Sequence, residues 1–238
     1  MDPSSFLRAE WRKLAIANYC VDKKALQKYV PGKTELDTWN GNCYVSLVGF
    51  MFLNTKLKGI AIPFHQNFEE VNLRIYVRYK DGHIWKRGVT FIKEIVPKYA
   101  LSFVANMLYK ENYVTMPMQH TWALSNDILE VEYKWKKDRW HSFKVIAGSS
   151  QMPLAANSKE EFITEHFWGY TQRDPERTSE YEVGHPAWEI YKVLDHSLYV
   201  DFGMVYGEEF SFLTGSRPES VMLAEGSEIM VRKAKILR

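Results

Sequence analysis

The chain has 238 residues, and its 31 Lys and Arg nearly cancel its 29 Asp and Glu, leaving a formal net charge of +2. A balance this even supplies no global field toward nucleic acid or an anionic membrane, so partners must be argued from local groups. Aromatic residues reach 15% and hydrophobic residues 46%, which favours sheets with broad, well-filled interiors and a single domain over residues 1–238.

The opening stretch reads as a helix flanked by turns, with Asp22 as N-cap for KKALQKYV and Pro31 as its end. PGKTELDTWNG (31–41) is turn-rich. CYVSLVGFMF, from Cys43, lacks polar interruption apart from Ser46, as expected of a strand buried on both faces. VNLRIYVR (71–78) alternates: Val71, Leu73, Ile75 and Val77 face one way, and Asn72, Arg74, Tyr76 and Arg78 the other. The turn signal KDG (80–82) then predicts a hairpin with IWKRGVTFIKEI (84–95) as its returning strand. Arg74, Arg78, Lys86, Arg87 and Lys93 thereby share a polar surface near Glu70 and Glu94.

After Pro97 the period changes. Leu101, Val104, Ala105 and Leu108 fall at helical spacing as far as about Glu111, so Lys98 stands at a strand-to-helix junction. HTWALS, ILEVEYKW and RWHSFKVIAG follow as strands, with Asn126–Asp127 and Lys137–Asp138 as turns. Ser158 to Glu161 forms an S-x-x-E capping box, so a short helix begins ahead of FITEHFWGYT. TSEYEVGH, WEIYKVLD, SLYVDFG and EIMVRKAKIL return to strands. The sum is a mostly β, antiparallel-rich protein with about three helices, rolled into a barrel because so many strands need their edges closed.

The usual signatures of chemistry are missing. The histidines at 65, 83, 120, 141, 166, 185 and 196 never take an i, i+4 or Cys/His-ribbon spacing, so no metal site is expected. No G-x-G-x-x-G, P-loop or G-x-S-x-G motif occurs, and no cofactor is expected. YKWKKDRW (133–140) interleaves aromatics with cations as single-stranded nucleic acid would require, but it reads better as a hairpin with a solvated turn. Cys20 and Cys43 are in no redox spacing and read as reduced core thiols. The longest apolar run, VSLVGFMFL (45–53), is far short of the roughly 20 residues that span a bilayer. With no signal peptide visible, a soluble cytoplasmic protein is the default expectation.

Four stretches carry chemical interest. HQNFEEV places His65, Glu69 and Glu70 at the start of the alternating strand, where a buried carboxylate acts as general acid or base and an exposed one is a loop end. Glu165 and His166, among aromatics, read either as a pocket wall or as a polar break in a helix. His185, held before a proline, reads as structural. Lys98 is either an exposed helix-start lysine or an amine whose pKa desolvation has brought down from ~10.4.

TELDTWNGNCYVSLVGFMF, IPFHQNFEEVNLRIYVR, WKRGVTFIKEIVPKYAL, EEFITEHFWGYT, EYEVGHPAW and SVMLAEGS, in this order, resemble the YqjF-like family of conserved bacterial proteins. That family is similar to the acetoacetate decarboxylase-like superfamily, which implies a β-barrel or cone around a cavity with helices outside. In the decarboxylases a lysine in a Pro-Lys-Lys segment forms a Schiff base. Pro97 and Lys98 match the proline and the first lysine, Tyr99 replaces the second, and Glu70, with Glu69 as alternative, matches the assisting acid. Activation of Lys98 then rests on burial alone or on another cation such as Arg74 or Arg87. The resemblance implies a small apolar or carbonyl-containing ligand in a cavity lined by Tyr76, Trp85, Trp168 and Tyr170, with Arg74, Arg87 and Glu94 as polar groups. The alternative is imine chemistry on a keto acid at Lys98 with Glu70 moving the proton. The expected partner is this small molecule, with neither nucleic acid nor membrane. An aromatic-rich β protein with edge strands is also compatible with a homodimer.

Overall fold

The structure, a computed structural model, describes residues 5–98 and 112–237. Its main sheet is built on β1 (Ser5–Val21), which pairs antiparallel with β3 (Cys43–Leu57) on one side and β14 (Ser220–Arg232) on the other. Beyond β3 come β5 (Phe68–Asp81), β6 (Ile84–Val96), β11 (Trp168–Asp174) and β12 (Arg177–Gly184). β12 also pairs with β14, so the order β14-β1-β3-β5-β6-β11-β12 closes on itself. The ring is uneven. Its first members share long antiparallel ladders, whereas β6–β11 is a short parallel joint through Trp168↔Gly88 and Gly169↔Val89.

Glycine makes that joint possible. A Cβ on Gly88 would lie 2.2 Å from the Trp168 carbonyl oxygen, and one on Gly169 would lie 2.1 Å from the Tyr181 ring. Any larger residue would push the strands apart.

The sheet continues from β14 through β13 (Glu189–Tyr199), β10 (Arg139–Pro153), β9 (Ile128–Lys137) and β8 (Met118–Ser125). This extension folds back over the outer face of the ring. The outer core joins Val45, Leu47, Leu73 and Ile75 to Val131, Tyr133, Trp135 and Phe143, while Phe50, Phe52, Phe68, Val89, Val183 and Met222 fill the ring interior. Each fully buried side chain of this size contributes roughly 1.5–3 kcal/mol of transfer free energy. Both faces of β3 and β5 are therefore covered, which explains the unbroken apolar run at Cys43 and gives the polar face of β5 a place inside the barrel.

The hairpin and turn signals were legible. Asp81 pairs with Ile84 around a two-residue turn, and Asn126 and Asp127 both adopt positive φ, 49° and 59°, as a type I′ turn requires. Asp22 caps Lys23–Leu26 by accepting from the Lys24 N–H at 2.7 Å. Ser158 caps Lys159–Thr164 by accepting from the Glu161 N–H at 3.1 Å.

Residues 5–21, to which the local sequence pattern assigns no element, form the longest strand among those described, although AEWRKLAIA is rich in helix formers. Pairing along both edges with β3 and β14 overrides that propensity. The helix after Ser158 ends at Thr164, because Trp168 starts β11. VDFG enters a short helix, Phe202–Tyr206, capped by Asp201. Cys20 is exposed and only Cys43 is buried, as two free thiols on a strand and its neighbour. The helix expected over Leu101–Glu111 lies outside the described residues. Among the described residues no helix is long and apolar enough to cross a membrane.

Candidate functional site

Strand alternation turns Glu70, Asn72, Arg74 and Tyr76 toward the ring interior, opposite Val71, Leu73 and Ile75. There Glu70, Asn72 and Arg74 meet a cavity of about 130 Å³. Glu70, Asn72, Arg74, Glu94, Tyr113 and His166 supply its polar wall, and Trp11, Phe50, Phe52, Phe91, Trp168 and Tyr181 much of its apolar wall.

Glu70 is 2% exposed. Its Oε1 accepts from Asn72 Nδ2 at 2.9 Å and its Oε2 from the Tyr113 hydroxyl at 3.2 Å. Burial pushes its pKa up to about 7, against the two hydrogen bonds and the Arg74 charge, which favour the carboxylate. Glu70 thus changes protonation near neutrality, as proton transfer requires. Tyr113, strongly raised by burial and by the neighbouring Glu70 and Glu94 charges, stays a phenol and so a donor.

His166 sits at the other side of this wall, its ring 4.8 Å from that of Tyr76. Its Nε2 lies 3.1 Å from Asp37 Oδ2, which also accepts from Arg87 Nε at 2.7 Å. Burial drives the imidazole down to about 4, although Asp37 pulls the other way. Burial works to raise Asp37 as well, but the bonds from His166 and Arg87 together outweigh it and hold the carboxylate low. A neutral imidazole facing an ionised carboxylate carries its proton on Nε2, so Nδ1 is a bare acceptor.

Buried polar atoms of the cavity wall without a hydrogen-bond partner among the described residues include Arg74 Nε, Trp11 Nε1, Asn72 Oδ1 and His166 Nδ1. Arg74 donates from Nη2 to the Ile163 carbonyl at 3.3 Å, a bond that does not use the buried Nε–H.

Of the residues singled out by sequence, Glu70, Arg74, Glu94 and Trp168 meet at this cavity. Tyr76 is on the same face but gives its hydroxyl to Ser46 Oγ at 2.7 Å. Arg87 is one step removed, behind Asp37. Tyr170 belongs to the outer core and donates to the Lys86 carbonyl at 3.2 Å. Trp85 is 41% exposed, with the Arg78 guanidinium 4.3 Å above its ring. Lys98 is half-buried just past β6 and is not among the residues lining this cavity. Its charge acts on Glu69, which projects from the opposite face of β5 to Glu70 and contacts His120 at 2.7 Å. Tyr99 lies outside the described residues.

Sequence reasoning did not single out Asp37, Asn72 or Tyr113. Asn72 was visible as the residue between Glu70 and Arg74 in the alternating strand, whereas Asp37 and Tyr113 reach the site only through tertiary contacts.

This fold, an uneven β-ring around a largely apolar cavity with a second layer on its outer face, is similar to that of acetoacetate decarboxylase-like proteins. The structure of acetoacetate decarboxylase from Legionella pneumophila superposes with a TM-score of 0.66 at 13% identity, over 99% of this chain and 88% of that one. The enduracididine biosynthesis enzyme MppR complexed with pyruvate gives 0.68 at 10% identity, over 100% and 92%. Identities this low establish the fold alone. The sequence itself matches the model of the DUF2071 family, "Uncharacterized conserved protein (COG2071)", over residues 8–228, and the chain belongs to that family. It is also 28% identical to the uncharacterized protein YqjF of Bacillus subtilis (strain 168) over 168 residues, 69% of this chain and 67% of that protein.

Proposed function

We propose that the protein binds a small molecule carrying a carbonyl or carboxylate group inside the barrel. The observation that carries this reading is Arg74, a cation only 9% exposed, in the cavity wall with an unpaired Nε–H. A buried guanidinium with a spare donor is stabilised by an acceptor oxygen, best an anionic one. A dry cavity of about 150 Å³ accommodates benzene, so a space of about 130 Å³ fits a ligand of about six non-hydrogen atoms. The aromatic wall takes the ligand's carbon skeleton, and Glu70 stands ready to give or take a proton. The pyruvate named in the MppR complex is of this size and chemistry.

Titration calorimetry with a panel of short oxo and hydroxy acids tests the reading, with quenching of Trp11 and Trp168 emission as a second signal. Saturable binding that Arg74→Met removes is expected. Absence of saturable binding by every short acid overturns it.

A second reading is imine formation at Lys98, favoured by the course of β6: this strand supplies Val89, Phe91 and Glu94 to the cavity wall and ends at Val96, two residues before Lys98. The neutral amine adds to a ligand ketone and water leaves, giving an imine whose protonated form is an electron sink. Borohydride reduction with a β-keto acid, followed by mass mapping, tests it. An unmodified Lys98 at saturating keto acid removes it.

A further inference from the structure

Resting on the cavity-ligand reading, we infer that the cavity selects a small hydroxycarboxylate over the matching oxo acid, with His166 Nδ1 as the acceptor for the ligand's hydroxyl. The unpaired groups in the wall include two donors, Arg74 Nε–H and Trp11 Nε1–H, and two acceptors, Asn72 Oδ1 and His166 Nδ1. A ligand that satisfies this set brings acceptor oxygens and at least one donor.

The polarity of each group is fixed by what stands behind it. Asn72 gives its amide N–H to Glu70 Oε1 at 2.9 Å, so its oxygen is the atom left over. His166 faces Asp37 Oδ2 through Nε2 at 3.1 Å, and Arg87 Nε holds the same carboxylate oxygen at 2.7 Å. That arrangement places the imidazole proton on Nε2 and keeps the lone pair of Nδ1 at the cavity. The charged or titratable neighbours of the ring are Asp37, Arg87 and Arg74, and the aromatic rings of Tyr76 and Phe162 enclose it at 4.8 and 5.0 Å. Asp37 and Arg87 are thus positioning residues that set the tautomer without lining the cavity.

An oxo acid anion offers only acceptors. It can pair with Arg74 and Trp11 Nε1–H, but it leaves Asn72 Oδ1 and His166 Nδ1 without protons. A 2-hydroxy acid of the same size pairs its carboxylate with Arg74 and donates its O–H to one of these acceptors. A missing hydrogen bond to a buried polar group lowers affinity by about tenfold or more.

The probes are D-lactate, L-lactate and pyruvate, which have the same number of non-hydrogen atoms. Calorimetry on the full chain is expected to show one lactate enantiomer binding at least about tenfold more tightly than pyruvate, and His166→Phe to abolish that preference while pyruvate still binds. Nitrogen-15 NMR of the histidine-labelled wild type supplies a readout independent of any variant. Nδ1 of His166 is expected to be unprotonated in the free protein and to shift on adding lactate but not pyruvate. Pyruvate binding as tightly as both lactates, or a proton on Nδ1, overturns the inference and leaves the cavity-ligand reading standing. If none of the three acids binds, the inference falls, and if the remaining short oxo and hydroxy acids also fail to bind, the cavity-ligand reading falls with it.

Discussion

Asn72 and Glu70, two positions apart on one strand, share a hydrogen bond of 2.9 Å inside the barrel, and neither residue is more than 2% exposed. The bond fixes both side chains toward the cavity and stabilises the ionised form of Glu70. Burial still wins, and the carboxyl titrates at about 7 instead of the ordinary 4.5.

The sign of the resulting pH dependence follows from linkage. A carboxyl raised in the folded state favours folding fully below its unfolded value of 4.5, and that contribution is lost as pH rises through about 7. Arg74, Tyr113 and Glu94 are the charged and titratable groups that face it. Replacing Glu70 by Gln removes the ionisation penalty. Urea denaturation at pH 8 is expected to find Glu70→Gln stabilised relative to wild type by up to roughly 3 kcal/mol, with the difference vanishing toward pH 4.

His166 has the opposite slope. Its imidazole is lowered from 6.5 to about 4, so its contribution is complete above 6.5 and is lost as pH falls toward 4. Proton NMR of the imidazole is expected to show no titration between pH 8 and 5.5. In Glu70→Gln, where the opposing carboxyl is gone, stability should rise with pH across 4.5 to 6.5. A flat or falling profile in that variant would show that His166 is not buried in its neutral form.

Arg74→Lys keeps the charge but gives up both the planar fork and the Nε donor. Affinity for short carboxylates is expected to fall about ten- to a hundredfold, as for loss of a charged hydrogen bond. Thermal unfolding without ligand should change much less than binding, since the side-chain hydrogen bond lost among the described residues is the 3.3 Å one to the Ile163 carbonyl. Equal affinity for Arg74→Lys and wild type would place carboxylate recognition elsewhere.

Tyr133 ties the two layers together. Its hydroxyl donates to the Lys13 carbonyl at 2.8 Å and accepts from Trp122 Nε1 at 3.2 Å, and its ring lies over Gly49, where an added Cβ would approach to 2.7 Å. The register of β1 against β3 shifts between Arg12 and Ala15, with Lys13 at φ 54°. Tyr133→Phe should cost about 1–2 kcal/mol in chemical denaturation. Gly49→Ala should cost about 1–3 kcal/mol by overpacking against the ring. Gly88→Ala should be at least as severe, because the atom it meets is backbone.

Much of the fold was written in local patterns. The alternation at 71–78, the Asn126–Asp127 turn and the caps at Asp22 and Ser158 each depend on neighbours within a few residues, and each was readable. β1 was not, because its helix-prone sequence is extended only by pairing with strands about 30 and 210 residues away. The helix after Ser158 was placed but overextended, since the parallel joint with β6 draws Trp168 into a strand.

The sequence by itself determined a β-rich chain whose strand at 71–78 carries an acid, an amide and a guanidinium on one face, and the resemblance that made Glu70 and Lys98 worth locating. Only the tertiary structure decided that this face looks into the buried interior of the ring, which is what shifts the Glu70 carboxyl. It also brought Asp37, Tyr113 and His166 to the same wall from distant segments, while leaving Trp85 on the surface and Lys98 beside Glu69. Alternation records which residues share a face. Desolvation and hydrogen-bond partnering arise only when separate segments meet, and these two effects set the chemistry of the site.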